Sequence, residues 1–358
     1  MDDGPAPYEW ELPPGFPMPQ VPEDNPMTAD KVELGRHLFY DTRLSANETQ
    51  SCGSCHEQSR AFADAEVVPL GSTGEILARN SMGLTNAAYS YPLTWANPAL
   101  DTLEQQILVP LFGEFPTELG VTGHEEEILA RLASDPQYQQ LFADAFPDAD
   151  DPYTFEHVVK AIACFVRTMI SGNSAFDRYT YQRDTSALDE QQLRGLELLF
   201  SESLQCHHCH NGFNLSDATR HAGTVHDSLS FHNTGLYDVD GDGAYPVGNQ
   251  GLIESTFEAD DMGAFRAMTL RNIAVTGPYM HDGSVATLEE VLDIYSRGGR
   301  LLDAGPNAGD GALNPHKSGF VGGFALTDQD REDLVAFLEA LTDEEFLTDP
   351  RFSNPFEE

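Results

Sequence analysis

Apolar residues recur along most of this chain at three- and four-residue spacing, the period of an amphipathic helix, and period-two alternation is scarce. The clearest run is Phe155, Val158, Val159, Ile162, Val166 and Met169, which predicts a long, largely buried helix. Leu193, Leu196, Leu199 and Phe200 mark another. Leu34, Leu38 and Phe39 mark one near the start, with Thr28 placed to cap it. Towards the C-terminus, Thr287 and Glu290 are spaced as a capping box, and Gly298 stands where that helix should end. Thr327 precedes a last helix carrying Leu334, Phe337 and Leu341. The expected fold is all-α with long loops. It comprises a Pro-rich extended arm over residues 1–27, an N-terminal helical domain over 28–180 and a C-terminal one over 181–358. Between the domains, Ser-Gly-Asn at 171–173 and Arg-Asp-Thr-Ser at 183–186 interrupt the helical pattern.

Composition narrows the function classes. No apolar run approaches the ~18–20 residues of a membrane-spanning helix. The N-terminus lacks the basic-then-apolar pattern of a secretory signal, so export would imply a signal removed ahead of the starting Met. The formal charge of −40 argues against nucleic acid, because a polyanion gains nothing from counterion release there. It suits a basic partner, a cation-rich habitat or solubility alone.

Four of the five cysteines fall in two short clusters, Cys52-Gly-Ser-Cys55-His56 and Cys206-His-His-Cys209-His210. Both are C-x-x-C-H. Two thiols three positions apart add to the two vinyl groups of one haem, and the adjacent His reaches the iron as proximal ligand. A zinc site would need no trailing His, and neither would a redox dithiol. Two covalently bound c-type haems are therefore expected, one per half, with His56 and His210 on the irons. Such attachment requires an export-linked assembly machinery, which places the protein in a periplasm. The leftover Cys164 sits in an apolar helical run and reads as a buried, inert thiol.

The motifs sit within a wider likeness. The segments Glu33-Leu-Gly-Arg-His-Leu-Phe-Tyr-Asp-Thr-Arg-Leu-Ser45, Gln50-Ser-Cys-Gly-Ser-Cys-His-Glu57 and Phe231-His-Asn-Thr-Gly-Leu236 carry it, together with Thr269-Leu-Arg-Asn-Ile-Ala-Val-Thr-Gly-Pro-Tyr-Met-His-Asp-Gly-Ser284. Over roughly residues 28–345 the chain resembles the bacterial di-haem cytochrome c peroxidase/MauG superfamily, whose fold is two cytochrome c-like helical domains. Gly71-Ser-Thr-Gly74, Pro110-Leu-Phe-Gly-Glu-Phe-Pro-Thr-Glu-Leu-Gly120 and Leu347-Thr-Asp-Pro-Arg-Phe352 are most similar to its MbnH-like members, di-haem enzymes associated with methanobactin and copper operons.

The resemblance implies asymmetric iron ligation. In the peroxidases proper, a His shortly after the first motif can block the N-terminal haem. Here no His occurs between Glu57 and Gly123, so the His56 haem is expected to stay open to peroxide. His124 is the nearest alternative, but Glu125, Glu126 and Glu127 follow it, as at an exposed helix start. The second distal ligand is a Met in peroxidases and a Tyr in MauG. The matching position is Tyr295, with Met280 as the alternative. Leu288, Val291, Leu292 and Tyr295 share one helical face, so Tyr295 points inward. A phenolate is a harder donor than a thioether and favours the higher oxidation states of iron.

Further roles follow from the same likeness. Trp95 matches the MauG residue between the haems, although a packed aromatic is the other reading. Glu118 matches the distal carboxylate of the open haem, with Glu114 close enough to compete, and Pro110 matches a packing residue there. A carboxylate in an apolar pocket can shuttle the peroxide proton. Asn80, by its side chain, and Thr276 and Pro278, by their carbonyls, match an inter-haem calcium site. Asp238-Val-Asp-Gly-Asp-Gly243 imitates the start of an EF-hand, but position twelve is Asn249, so it reads as an acidic turn. MauG has a Trp just before its second motif as the electron exit. Here Leu204-Gln205 stand there, which leaves Tyr237, Tyr245, Tyr279 and Trp10 as unranked relays.

The expected function is that of a MauG/MbnH-like oxidase. Hydrogen peroxide reacts at the His56 haem, and a bis-ferryl state shared through Trp95 oxidises an aromatic residue of a partner protein. If the MbnH likeness holds, that residue is a Trp of a copper-binding protein, converted to kynurenine. The alternatives are a cytochrome c peroxidase fed by a small electron-donor protein, and a non-enzymatic electron carrier.

Overall fold

Thr28, Thr287 and Thr327 do cap helices, their hydroxyls accepting from the backbone N–H of Lys31, Glu290 and Asp330. The computed structural model describes residues 6–226 and 229–357. Its α-helices are α1 Ala29–Tyr40, α2 Leu103–Phe112, α3 Glu125–Ala133, α4 Pro136–Ala145, α5 Phe155–Arg167, α6 Ala175–Tyr181, α7 Glu190–Leu199, α8 Ile253–Thr256, α9 Leu288–Arg297, α10 Asp328–Glu339 and α11 Glu344–Thr348. Among the described residues, strands are limited to two short antiparallel pairs, His232–Asn233 with Ala264–Phe265 and Leu301–Leu302 with Gly309–Asp310. The regular structure among the described residues is almost all helical, with long loops between the helices, as the periodicity predicts.

Two local expectations need correction. Thr327 and Asp330 close a reciprocal capping box, but at α9 the Glu290 carboxylate accepts from Ala286 N–H, one residue ahead of the cap, so that box is half formed. Phe200 is 39% exposed at the end of α7, because the helix face that meets α10 is centred on Gly195. Gly298, at φ 77°, ends α9 as expected.

Each half is organised on one close helix crossing. In the first, α1 lies on α5 and buries Leu34, Leu38 and Phe39 against Val158, Ile162 and Phe165. A Cβ built on Gly35 would lie 2.0 Å from the Ala161 carbonyl oxygen, so only glycine allows these backbones to approach this far. In the second, α7 lies on α10, with Leu199, Leu334, Phe337 and Leu341 inside. There a Cβ on Gly195 would lie 2.0 Å from the Asp333 carbonyl oxygen.

The halves are stitched by polar groups and by the tail. Asp343 caps α11 and accepts from Ser171 Oγ and the N–H groups of Gly172 and Asn173, while its own N–H donates to Asn272. From there α11 returns to the first core, where Phe346 and Phe352 pack against Phe62. Phe16 of the Pro-rich arm is buried between Tyr89, Phe213 and Tyr181. Among the described residues, no helix is long and apolar enough to cross a membrane.

Candidate active site

The two C-x-x-C-H segments fold alike, for a local reason. Cys52–Ser54 and Cys206–His208 each form one 3₁₀ turn, and the N–H of the following His donates back to the first Cys carbonyl. This turn brings both thiols and the imidazole to one side. Cys52, Cys55 and His56 line a cavity of about 980 Å³ of empty space, and Cys206, Cys209 and His210 line a second of about 1610 Å³, each partly open to solvent.

Their chemistry fits a covalently attached porphyrin in each cavity. The four motif cysteines are free of disulfides. Burial pushes the Cys52 and Cys55 thiols up to about 12 and Cys206 to about 11, so these three thiols are protonated near neutral pH. His56 Nδ1 meets the Phe62 carbonyl at 2.6 Å and His210 Nδ1 meets that of Leu215 at 3.3 Å. Donation from Nδ1 leaves Nε2 as the metal-binding nitrogen. Burial lowers the pKa of both imidazoles, keeping them neutral as ligands require.

The smaller cavity has His56 as its one lining histidine. Facing it are Glu118, Gln106 and Pro110, from α2 and the turn that follows. Glu118 is held there because Ser72 N–H donates to its carbonyl and Leu119 N–H donates to that of Pro110. Desolvation raises the Glu118 carboxyl to about 7. Gln106 Oε1 is buried with no partner among the described residues. Glu114 is exposed and outside the cavity, so geometry separates the two candidate carboxylates. His124 is exposed at the start of α3, also outside it.

The larger cavity brings together Tyr295, Met280, Trp95, Asn80, Thr276 and Pro278. Tyr295 arrives from α9 with Leu288 and Val291 on the same lining face, and burial raises its phenol pKa. Trp95 Nε1 donates to the Asn80 carbonyl at 3.0 Å. The Asn80 amide NH₂ donates to the carbonyls of Glu66 and Val67, which leaves Oδ1 as its available oxygen. The Asp238 segment is a turn closed on itself, Asp238 accepting from Gly243 N–H and Asp240 from Asp242 and Ala244 N–H.

Three residues line both cavities: Met82, Gly83 and Arg266. Arg266 is buried, donates through Nη1 to the Pro92 carbonyl at 2.7 Å, and keeps Nε unpartnered among the described residues. Desolvation lowers its pKa to about 10. A buried guanidinium with an open donor, set between two cavities, is a natural counterion for the acid groups of bound porphyrins.

The profile of the family described as di-haem cytochrome c peroxidase matches residues 29–186. Cytochrome-c peroxidase IdrP1 of Pseudomonas sp. (strain SCT) is 34% identical, covering 92% of this chain and 86% of its own. Methylamine utilization protein MauG of Methylorubrum extorquens is 32% identical over 89% of this chain and 80% of its own. The chain belongs to the di-haem cytochrome c peroxidase/MauG family.

Membership makes it a haem-dependent oxidoreductase with two haems. The crystal structure of a MauG-like protein associated with microbial copper homeostasis superposes with a TM-score of 0.96 at 51% identity, covering 98% of this chain and all of that one. The di-haem peroxidase BthA of Burkholderia thailandensis, at 21% identity and a TM-score of 0.68, shares the fold.

Sequence reasoning missed Gln106, Arg266 and His281. His281 lies flat on Phe265, ring centroids 3.6 Å apart, with Nε2 unpartnered among the described residues and its pKa driven to about 3 by burial. One signal was legible for Arg266: it is the lone cation in Gly-Ala-Phe-Arg-Ala-Met, where solvation alone would not place it.

Proposed function

We propose that this chain uses hydrogen peroxide at the smaller cavity to oxidise a tryptophan of a partner protein linked to copper homeostasis. One observation carries the reading: the two cavities differ in the side chains that line them besides their motif histidines. The smaller offers a carboxyl that can handle protons, Glu118, and an amide, Gln106, and the larger offers an axial donor, Tyr295 or Met280.

Bound haem supplies the two-electron reduction of peroxide, and the side chains set its course. With haem bound, Glu118 would take one proton from peroxide and hand it to the oxygen that departs as water when the O–O bond breaks. Gln106 orients the peroxide through its unpartnered Oε1. Tyr295 would hold the second metal through its phenol oxygen, which gives up its proton on binding. Trp95, pinned to Asn80, couples the two sites. Asn80 Oδ1 and the carbonyls of Thr276 and Pro278 would hold a calcium ion, an oxygen set suited to that cation. The two halves act as cytochrome c-like domains divided near residue 180, and the protein works in the periplasm.

The route outward replaces the missing tryptophan before the second motif. Trp95 sits edge-on to His281 with centroids 6.5 Å apart, Tyr245 lies 6.2 Å from His281, and Tyr237 lies 5.5 Å from Tyr245. This ranks Tyr245 and Tyr237 above Tyr279, whose hydroxyl is tied to the Ile273 carbonyl, and above Trp10, whose ring packs on Tyr8 in the arm.

A second reading, peroxide removal with electrons from a small donor protein, is favoured by relatives named cytochrome-c peroxidase. Diferric protein treated with one equivalent of peroxide separates them. A long-lived oxidised state that discharges into a partner tryptophan, seen as kynurenine by peptide mass, supports the oxidase. Rapid turnover with a reduced small cytochrome, the partner tryptophan untouched, overturns it.

A further inference from the structure

Between the thiols of a C-x-x-C-H motif the chemistry of attachment leaves two positions free. The first motif fills them with Gly53 and Ser54; the second fills them with His207 and His208. Neither imidazole lines the larger cavity, so both are turned away from the space that the second porphyrin would fill. They stack obliquely on each other, centroids 4.4 Å apart, and His208 is further held by Phe320, 4.3 Å away and nearly parallel.

Glu202, in the loop between α7 and the second motif, closes the group. Its two carboxylate oxygens approach His207 Nε2 and His208 Nε2, each at 3.4 Å. The three donor atoms lie within 4.8 Å of one another. An ion bound at about 2.0–2.2 Å from all three would draw these side chains together, Glu202 being exposed and free to turn.

We infer that Glu202, His207 and His208 form a surface site for a divalent transition-metal ion. The donor set decides the class. Two imidazoles and one carboxylate suit Zn(II), Ni(II) or Cu(II) over Ca(II) or Mg(II), and among these Cu(II) binds tightest. Three protein donors leave a coordination position for water or for a side chain of a docking partner. The stacked rings hold two of the donors in place before the ion arrives. One feature limits affinity: His207 Nδ1 is buried without a partner among the described residues, so ligation through Nε2 leaves an unpaired N–H there. The site is therefore one of moderate strength.

The test uses the haem-loaded protein and reads metal binding, not peroxide chemistry, so it stands apart from the function proposed above. Equilibrium dialysis against Cu(II) or Zn(II) with metal analysis should give one competitively held ion per chain. The Cu(II) EPR signal should show nitrogen splitting from two imidazoles. Replacing His207→Gly and His208→Ser together copies the first motif and spares attachment, which the visible haem spectrum checks. That variant should bind more than about 100-fold more weakly, a larger loss than removing an outer-shell partner causes. Glu202→Gln should cost about tenfold and keep the nitrogen splitting. Weak carboxylate binding to the acidic surface would survive both changes. Equal stoichiometry and affinity in wild type and the double variant, or a wild-type Cu(II) signal without nitrogen splitting, overturns the site.

Discussion

The Tyr237 hydroxyl donates a 2.6 Å hydrogen bond to the Asp282 carboxylate, and the Tyr237 ring is all but buried. Asp282 stays a ready acceptor. Burial raises its pKa, but the charges and hydrogen bonds around it, from His281, Tyr237 and Ser284, outweigh that and hold it below the ordinary carboxylate range. A phenol so paired can lose an electron while its proton moves to a waiting base, which avoids a buried radical cation. Arg300, 5.9 Å from the ring, further disfavours the cation. Tyr237→Phe is therefore expected to remove a tyrosyl EPR signal in samples frozen after peroxide addition and to lengthen the life of the oxidised state. An unchanged tyrosyl signal would place the exit elsewhere.

Glu118 governs the pH dependence of the peroxide step. Its carboxyl is raised from 4.5 to about 7 by burial, and it must be ionised to accept the peroxide proton. The rate constant for peroxide, measured by stopped flow, should rise with pH around a midpoint near 7. Glu118→Gln should flatten the profile and slow the step by about 10²–10⁴-fold. Stability runs the other way. Between 4.5 and about 7 the native chain holds a proton that the unfolded chain has lost, so this contribution is present at low pH and disappears as pH rises through about 7. A profile unchanged in Glu118→Gln would remove the carboxylate from the mechanism.

Tyr295 and Met280 both line the larger cavity, and optical spectroscopy tells them apart. Tyr295→Phe is expected to abolish the low-spin His/Tyr component of the resting spectrum, and Met280→Leu to leave it intact. The converse pattern would move the axial bond to sulfur.

The two glycine helix crossings should not tolerate a side chain. Gly35→Val and Gly195→Val would each drive a side chain onto a carbonyl oxygen of the facing helix. Each should cost about 1–3 kcal/mol or more in chemical denaturation. Gly319→Ala, with nothing within 4 Å of the added carbon, is the matched control and should be near neutral. Equal stability of all three variants would mean that the helices slide apart at little cost.

The amino-acid sequence alone determined what depends on neighbours along the chain. The two C-x-x-C-H turns are set by four consecutive peptide units and by thiol chemistry, and the helix starts at Thr28, Thr287 and Thr327 by a hydroxyl three residues from the N–H it meets. The burial of α5 was legible too, because its apolar positions keep the helical period. Tertiary structure decided everything that joins residues remote in sequence. The likeness picks Glu118 but leaves Glu114 competing, and the fold of the turn after α2 sends Glu118 into the cavity and Glu114 into solvent. Likewise the setting of Arg266 between two cavities, the pairing of Tyr237 with Asp282 and the return of α11 to the first core arise from packing. Local pattern fixes which face of a helix or turn is apolar, but which distant partner meets that face is settled only when the whole core closes.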